Sequence, residues 1–381
     1  MKQILSAILL SIVWTASPLG AASPAERETN PWAIAVSPDM PGLSTVKYRE
    51  TTLPYLEKVE RVWDESKSGL PYNAFTDLIR FRDEWYLVFR EATIHNNHDS
   101  GRIRLLKSAT GKGWQSAALF EWDGGDLRDP KLSITAEGRL MINSSVAFIA
   151  RKPYVRQSIT WLSRDGQNWS SAFADASGID TWRWSVTWHQ GVGYSMDQNP
   201  GGTLYTTRDG RSWQALAEKI YPSGVGSETS IAFGADGKAY CLLRAGGPDP
   251  APGAYRMGQL GVATPPYREW QWTDLGRAQI GGPKLVRLAD GRFLGAGRMQ
   301  AKTILFWIDP DKRTMQEFLA LASGGQGGTS YAGIVEHEGM IWISYYAGHE
   351  YPTVATRTYD TSPVSIYLAR VKLAPRGAPV R

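Results

Sequence analysis

Short apolar runs alternate with polar turns along most of the chain, and no long stretch has the spacing of an amphipathic helix. In the clearest example, the turn Arg82-Asp83 leads into the mostly apolar run Trp85–Phe89. Asp-Gly and Glu-Gly turns between β-rich runs are hairpin signals. Turns of this general kind recur at intervals of 46 to 54 residues, at Asp83, Glu137, Gln190, Asp236, Asp290 and Glu338. The pattern predicts six copies of one β-rich repeat.

A second pattern follows the first, and consists of a strand that ends in a Ser/Thr-x-Asp-Gly-x-x-Trp stretch. Intact copies are Ser163–Trp169 and Thr207–Trp213, and Ser108–Trp114 is a close variant. In such a turn the Asp accepts backbone N–H groups, the Gly takes a positive φ, and the Trp packs back onto the sheet. Degenerate copies and a final strand, Ser365–Val371, bring this second count to six as well.

Six repeats with several short strands each predict an all-β chain, a six-bladed β-propeller with four-stranded antiparallel blades around a channel. In such a fold the innermost strands and the loops that follow them converge on one face. Functional residues are therefore expected at that face.

The start of the chain reads as a signal peptide. Lys2 supplies a positive charge, and the apolar run Ile4–Val13 is too short to cross a bilayer as a helix. Small residues then fit cleavage after Ala22. We predict a signal peptide over residues 1–22, an extended lead-in over 23–45 and the propeller over 46–375. The protein is expected in the periplasm or outside the cell.

Composition narrows the class further. The 39 Gly, 22 Pro, 16 Trp and 17 Tyr suit a β-rich fold, and the single cysteine, Cys241, lies in an apolar run typical of a buried strand. No later run reaches the roughly 18 apolar residues of a membrane span. The net charge is +5, but Lys and Arg are scattered, which argues against nucleic-acid binding. The His residues lack metal-ligand spacing, so neither a metal nor another cofactor is expected.

Three arginines follow the turn acids of three repeats at nearly the same distance. Arg90 is the seventh residue after its turn acid, and Arg244 and Arg298 are each the eighth. All three would end the second strand of a blade and point towards a common mouth. Because such an arginine needs an acidic partner or an anionic ligand, two interpretations are open. They form separate ion pairs at the rim, or they clamp a substrate carboxylate.

The predicted innermost strands carry polar residues where apolar ones are expected, namely Asp77, Asp129, Glu228 and Tyr331. Glu228 and Asp129 each stand eight residues before a turn acid. Any one of them is explained by a satisfied buried carboxylate or a rim position. Several polar residues at the same level of the channel instead indicate a functional site.

These residues resemble the bacterial exo-sialidase family over roughly residues 70 to 372. That family has a six-bladed propeller with Asp boxes, an arginine triad and a tyrosine nucleophile paired with a glutamate. The resemblance implies that Glu228, 16 residues before Arg244, is the glutamate. It also implies that Arg298 is the next triad member and that Tyr331, 33 residues later, is the nucleophile.

The first blade departs from the family. Its triad arginine usually lies in an Arg-Ile-Pro motif on the first inner strand, and Ala74–Ile79 has none. Arg90 is the substitute from the next strand. For the acid/base aspartate, Asp99 is the best match, with His95 and Glu91 as competitors. This half of the site is consistent with a sugar other than common sialic acid.

The resemblance implies a retaining exo-glycosidase that acts on a terminal, carboxylate-bearing sugar of a glycan. Arg244 and Arg298, helped by Arg90, would hold the carboxylate. Glu228 would take the proton of Tyr331 as the tyrosine attacks, and Asp99 would protonate the leaving oxygen. Further candidate substrate contacts are Asp77, Arg128, Asp129, His95 and His349.

Two other interpretations stay open. Asp129 and Glu228 could act as paired carboxylates in an inverting glycosidase, or the site could perform elimination on a uronate. Alternatively, the protein is a non-catalytic glycan-binding propeller with an aromatic mouth that includes Trp182–Trp184. By analogy with other propellers, a monomer is expected.

Overall fold

The strands of the computed structural model group into six antiparallel sheets that follow one another along the chain. The structure describes residues 54–96, 101–148, 154–222, 226–245, 257–278 and 280–374, all of which belong to one compact unit. The predicted signal peptide, the lead-in and Asp99 lie outside the described residues.

In chain order the strands are β1 (Tyr55–Trp63), β2 (Tyr72–Phe81), β3 (Glu84–Ala92), β4 (Arg102–Ser108), β5 (Gln115–Phe120), β6 (Gly125–Ile134), β7 (Leu140–Phe148), β8 (Arg156–Ser163), β9 (Thr187–His189), β10 (Val192–Met196), β11 (Thr203–Thr207), β12 (Gln214–Glu218), β13 (Gly226–Phe233), β14 (Ala239–Ala245), β15 (Met257–Ala263), β16 (Gln271–Ala278), β17 (Gly281–Arg287), β18 (Phe293–Met299), β19 (Lys302–Asp309), β20 (Thr314–Leu321), β21 (Thr329–His337), β22 (Met340–Ala347) and β23 (Ser365–Lys372). One helix, α1 (Glu65–Ser68), and one 3-10 turn, Ala176–Gly178, interrupt the strands of the described part. Within that part no helix is long and apolar enough to cross a membrane.

The predicted six-bladed propeller is confirmed. Blade 1 is β2 to β5, blade 2 is β6 to β8, and blades 3, 4 and 5 are β9–β12, β13–β16 and β17–β20. Blade 6 joins β21, β22 and β23 to β1, so both ends of the described chain share one sheet. Blade 2 differs from the four-stranded prediction. Two isolated bridges, Thr160 to Phe173 and Ser163 to Trp169, stand where its fourth strand would be.

The innermost strands form the wall of the channel. Each contacts the next in the order β2, β6, β9, β13, β17, β21, and β21 contacts β2 again. Aliphatic side chains fill the space between blades, as where Leu294 and Leu305 of blade 5 pack with Ile343 of blade 6. Cys241 is a buried free thiol on β14, as expected from its apolar surroundings.

The Asp-Gly turns have tight internal geometry. The Oδ1 atom of Asp165 accepts the N–H groups of Gln167 at 2.8 Å and Asn168 at 2.7 Å. Gly166 has a φ of +74°, and a Cβ at this position would lie 2.2 Å from the Tyr86 hydroxyl oxygen of blade 1. Only glycine therefore fits this contact between two blades.

β-Bulges set the direction of several side chains at the channel mouth. The strand register shifts at one level of five innermost strands, between Ala74 and Asp77, Arg128 and Lys131, Gly226 and Thr229, Gly281 and Lys284, and Ser330 and Gly333. Positive φ values occur there at Phe75 (62°), Asp129 (50°), Gly282 (58°) and Tyr331 (52°). A bulge re-aims a side chain, and a non-glycine residue holds this conformation only when its surroundings enforce it. Asp129 and Tyr331 are thus presented by strained backbone.

Candidate active site

Tyr331 and Glu228 form the centre of the mouth. Tyr331 is on β21 of blade 6, Glu228 is on β13 of blade 4, and each is 5% exposed. The Tyr331 hydroxyl donates to Glu228 Oε1 at 2.6 Å. A buried phenol and carboxylate are therefore in direct contact for proton transfer.

The surroundings of Glu228 favour its ionised form. Arg244 Nη1 donates to Oε1 at 2.6 Å, and the Gly282 N–H donates to Oε2 at 2.6 Å. Burial alone would raise the pKa of Glu228. The attraction of Arg244, the hydrogen bond from Tyr331 and the other cationic and N–H groups outweigh burial, and the net effect lowers this pKa. Glu228 is therefore a carboxylate at neutral pH and can accept a proton.

Tyr331 is held as the neutral phenol. Burial, followed by the nearby charge of Glu228, raises the pKa of Tyr331 well above its usual value, although Arg298 and Arg244 act in the opposite direction. The Arg244 Nη1 atom lies 3.5 Å from the phenolic oxygen. Tyr331 thus needs a base in order to act as a nucleophile, and Glu228 is in place for that task.

Arg298 lies on the same side of the mouth without an acidic partner. Its Nη1 donates to the Tyr359 hydroxyl at 3.0 Å, and its Cζ is 5.5 Å from the centroid of the Tyr331 ring. No carboxylate of the described residues forms an ion pair with this guanidinium. A half-buried cation without a counter-ion is suited to bind an anion.

Arg90, a predicted substrate contact, lies in a buried ion pair. Its side chain is fully buried, and both Nε and Nη2 lie 2.8 Å from Asp126 Oδ1. Its Nη1 donates to the Ile94 carbonyl at 3.0 Å, and the Gly101 N–H also binds Asp126 Oδ1, at 3.0 Å. Arg90 thus binds the Ile94 carbonyl directly and is linked to the Gly101 N–H through Asp126. It is not open to a substrate carboxylate, because the neighbouring blade supplies Asp126.

Arg128 supplies a guanidinium to the mouth instead. It precedes the bulge residue Asp129 on β6, and its Cζ lies 5.4 Å from the centroid of the Phe75 ring. Its Nη2 donates to the His95 carbonyl at 2.8 Å, while Asp126 Oδ2 is 3.9 Å from its Nη1. Its Nε is buried and has no hydrogen-bond partner among the described residues.

His95 lies where the arginines converge. Its Nδ1 is hydrogen-bonded to the Tyr72 hydroxyl, and its ring packs edge-on against Tyr359 at 4.8 Å. Burial lowers the pKa of His95 to about 3, with further lowering from Arg128, Arg90, Arg298 and Arg244. His95 is therefore a neutral imidazole, and in this field it is a poor general acid at neutral pH.

Asp129 remains in the site as a second carboxyl group. Its Oδ1 is buried without a partner among the described residues. Burial raises the pKa of Asp129 to about 6; Glu228 adds to the rise, while Arg128 opposes it. Asp129 thus exchanges its proton near neutral pH, unlike the ionised Glu228 beside it.

Asp77 does not reach the substrate side of the mouth. It is fully buried, its Oδ1 binds Lys284 Nζ at 2.8 Å, and its Oδ2 accepts the Leu132 N–H at 2.9 Å. These bonds tie blade 1 to blades 5 and 2 across the channel. The structure thus places Asp77, a predicted substrate contact, in an ion pair inside the channel.

Glu91 and His349 are also removed from the centre. Glu91, a predicted acid/base candidate, is fully buried and accepts hydrogen bonds from Trp63, Arg102 and Arg104. The His349 ring packs against Tyr367 on β23, with centroids 4.6 Å apart. Neither residue contacts the Tyr331–Glu228 pair.

Sequence reasoning missed three parts of the site. Tyr359 and Gly282 carried no signal, because their contacts depend on the loop before β23 and on the bulge of β17. Lys131, two residues after Asp129, was a detectable signal, since a lysine inside an apolar inner strand needs an explanation.

No protein-family model and no curated protein matches this chain. Among solved structures, a protein of unknown function from Dyadobacter fermentans shares 17% identity, with a TM-score of 0.69 over 84% of this chain and 99% of that chain. The NanB sialidase of Streptococcus pneumoniae shares 9% identity, with a TM-score of 0.62 over 82% of this chain and 70% of that one. An alpha-L-arabinanase of Penicillium chrysogenum, solved with arabinobiose, shares 14% identity, with a TM-score of 0.56 over 78% and 93% of the two chains.

What these proteins share with this chain is the fold. The six-bladed propeller occurs in glycoside hydrolases of different specificity, a sialidase and an arabinanase among them. The fold alone does not select a sugar, so the substrate has to be argued from the side chains at the mouth.

Proposed function

We propose that this protein is a retaining exo-glycosidase that removes a terminal, carboxylate-bearing sugar from a glycan. The observation that carries the proposal is the 2.6 Å hydrogen bond from Tyr331 to Glu228, next to an arginine, Arg298, that has no acidic partner in the described part of the chain. A neutral nucleophile suits a sugar whose carboxylate would repel an anionic one.

In the first step, the Tyr331 O–H bond breaks and Glu228 takes the proton. The phenolic oxygen forms a bond to the anomeric carbon while the bond from that carbon to the leaving oxygen breaks. The leaving oxygen takes a proton from a general acid, which we assign to Asp99 on family resemblance. In the second step, water attacks the anomeric carbon, loses a proton to the same group and releases Tyr331, which regains its proton from Glu228.

The proposed clamp for the carboxylate differs from the one expected from sequence. Arg244 and Arg298 keep their places, and Arg128 takes the place that Arg90 was expected to fill. This role of Arg128 is supported by its Nε atom, which is buried and has no hydrogen-bond partner in the described residues. Bidentate guanidinium–carboxylate pairing is the interaction that such a cluster offers.

A second candidate function is favoured by Asp129. Its pKa of about 6 and its unpartnered Oδ1 suit a general acid, with the ionised Glu228 as the second carboxylate. Paired carboxylates act on uncharged sugars in many glycosidases, and arabinobiose, which the arabinanase of similar fold binds, is uncharged. In this alternative Tyr331 only positions Glu228.

The test uses the purified protein with aryl glycosides of sialic acid, uronic acids and arabinofuranose. Tyr331→Phe, Asp129→Asn and the control Tyr345→Phe, a buried tyrosine on β22 away from the mouth, are assayed in parallel. The proposal expects cleavage of a carboxylated sugar, loss of it in Tyr331→Phe and little change in Tyr345→Phe. A fluorinated sugar analogue should also label Tyr331, as read by peptide mass spectrometry.

Cleavage restricted to arabinofuranosides, with loss in Asp129→Asn and activity in Tyr331→Phe, would favour the paired carboxylates. If no glycoside is cleaved or labelled but glycans bind, the protein is a binding propeller and both enzyme proposals fail.

A further inference from the structure

Two cations face the ring of Tyr331. Arg298 Cζ lies 5.5 Å from the ring centroid, and Lys131 Nζ lies 5.7 Å from it. Both distances are within the range in which a cation interacts with an aromatic ring. Arg298 belongs to the proposed carboxylate clamp, whereas Lys131 has no part in the mechanism described so far.

Lys131 is placed inside the channel wall. It is 4% exposed, its Nζ donates to the Thr76 carbonyl at 3.0 Å, and the same Nζ lies 5.4 Å from the centroid of the Trp184 ring. Thr76 in turn donates its hydroxyl to the Tyr331 carbonyl at 2.8 Å. Lys131 is thus linked to the nucleophile by two hydrogen bonds and is closed to solvent, so that any effect on a substrate has to pass through Tyr331.

Lys131 makes no ion pair with a carboxylate in the described part of the chain. The nearby Asp77 is bound to Lys284 at 2.8 Å. The net effect lowers the pKa of Lys131 from its usual value, because burial outweighs Asp77 and Asp129, which favour the ammonium form. An ammonium group without a direct counter-ion in a poorly solvated channel acts strongly on the aromatic rings beside it, which are those of Trp184 and Tyr331.

We propose that Lys131 is a positioning residue whose ammonium group stabilises the negative charge that spreads over the Tyr331 ring when its proton passes to Glu228. The inference rests on the proposed role of Tyr331 as the nucleophile. The arginines act at the phenolic oxygen and on the substrate side. Lys131 acts from the channel side, where it does not compete for the substrate carboxylate.

The groups that face Tyr331 come from several blades. Glu228 and Arg244 come from blade 4, Arg298 from blade 5, and Asp129 and Lys131 from blade 2. The carboxylates raise the pH at which the phenol ionises, and the cations lower it. Removal of the Lys131 charge should therefore raise that pH.

The test measures ionisation directly and needs no substrate. Tyr331 is replaced in the full chain by a fluorinated tyrosine, whose phenol ionises at lower pH, and the ionisation is followed by ¹⁹F NMR. Lys131→Gln keeps a donor for the Thr76 carbonyl but removes the charge, and Lys131→Arg keeps the charge. The matched control is the double variant Asp77→Asn/Lys284→Gln, which removes an ion pair of zero net charge from the same channel.

We expect the ionisation midpoint to rise by about one pH unit in Lys131→Gln, to return close to the parent value in Lys131→Arg, and to stay there in the double variant. An unchanged midpoint in Lys131→Gln overturns the proposal. So does an equal rise in the double variant, because the effect would then come from disturbance of the channel. If Lys131→Gln does not fold, Lys131→Met is measured in its place.

Turnover separates this inference from the proposed function. With an active glycoside, Lys131→Gln should slow the labelling of Tyr331 by roughly ten-fold, in parallel with the shift in ionisation. The parent protein could fail to cleave any sugar, and Tyr331 could fail to be labelled, while Lys131→Gln still shifts the ionisation of Tyr331. In that case the proposed function fails and the action of Lys131 on Tyr331 stands.

Discussion

Tyr331 donates a hydrogen bond of 2.6 Å to Glu228 although the two residues are 103 positions apart in the chain. The contact exists because their strands, β21 and β13, line the same channel on either side of β17. Gly282 of β17 completes the unit, since its N–H binds the second oxygen of Glu228 at 2.6 Å. The proposed nucleophile and its base are thus held by three blades.

Replacement of Glu228 by Gln should remove the base but keep much of the shape of the site. We expect kcat on a cleaved aryl glycoside to fall by about 10³-fold with little change in KM. Glu336→Gln, at an exposed carboxylate on the same strand as Tyr331, is the control and should keep full activity. A normal kcat in Glu228→Gln would exclude the assigned proton transfer.

Replacement by Met should have different effects at Arg90 of blade 1 and at Arg128 of blade 2. Arg128→Met should raise KM for a carboxylated substrate by about 10- to 100-fold, because a charge-assisted hydrogen bond is lost. Arg90→Met should instead lower the free energy of unfolding by about 3–5 kcal/mol, because Asp126 is left buried without its partner. Urea unfolding and steady-state kinetics measure both effects. The reverse assignment would restore Arg90 to the substrate clamp.

Asp129 should make stability depend on pH. The pKa of Asp129 is about 6 in the folded protein, whereas an aspartate in an unfolded chain has its usual value of 3.8, so folding favours the protonated form. This contribution is fully present below about pH 4 and is lost as the pH rises through about 6, a difference of up to about 3 kcal/mol. Asp129→Asn should therefore stabilise the protein at about pH 8 but not at about pH 4, as measured by urea unfolding. Equal effects at both pH values would contradict the raised pKa.

A side chain at Gly282 should lower the activity of the protein as well as its stability. Its φ is +58°, and a Cβ would lie 2.6 Å from the Tyr331 ring. Gly69, at the end of α1, is a matched control with a φ of +71° and no heavy atom within 4 Å of its Cβ position. Gly69→Ala should cost about 1 kcal/mol of stability only. Gly282→Ala should also lower kcat by about 10²-fold, since it displaces the nucleophile. Equal activity in both variants would show that the ring position is unimportant.

The Asp77–Lys284 pair should couple strongly in unfolding experiments. Asp77→Asn and Lys284→Gln each leave one buried charge unpaired, and each should lower stability by about 3 kcal/mol. The double variant should lose much less than the sum, because no unpaired charge remains from the pair. Additive losses would mean that the two residues act independently.

The architecture was predictable because it repeats. Six turns at a nearly constant spacing report six copies of one hairpin unit, and each copy reinforces the others. The fourth strand of blade 2 was not predictable in this way. The turn that contains Asp165 is intact, but the segment after it forms only the bridges at Trp169 and Phe173.

The sequence predicts the contacts of a site residue only where its position along its own strand determines them. Arg90 and Arg298 occupy equivalent positions, since Arg90 pairs with Ala74 and Arg298 with Gly281 at the edges of matching bulges. They differ because Asp126 of the adjacent blade binds Arg90, whereas no such carboxylate of the described residues binds Arg298. Spacing along one strand does not report what the neighbouring blade supplies.

Blade 6 unites β1 with β23, so the ring is closed by the pairing of Tyr55–Trp63 with Ile366–Lys372. Tyr331 lies in this blade and Glu228 does not. A chain under synthesis would therefore carry its base, arginines and lysine for some time with the nucleophile's blade incomplete. The pairing of β1 with β23 would complete the propeller in the last step of folding. Chains that are cut or stalled before the last strand should therefore be both unstable and inactive.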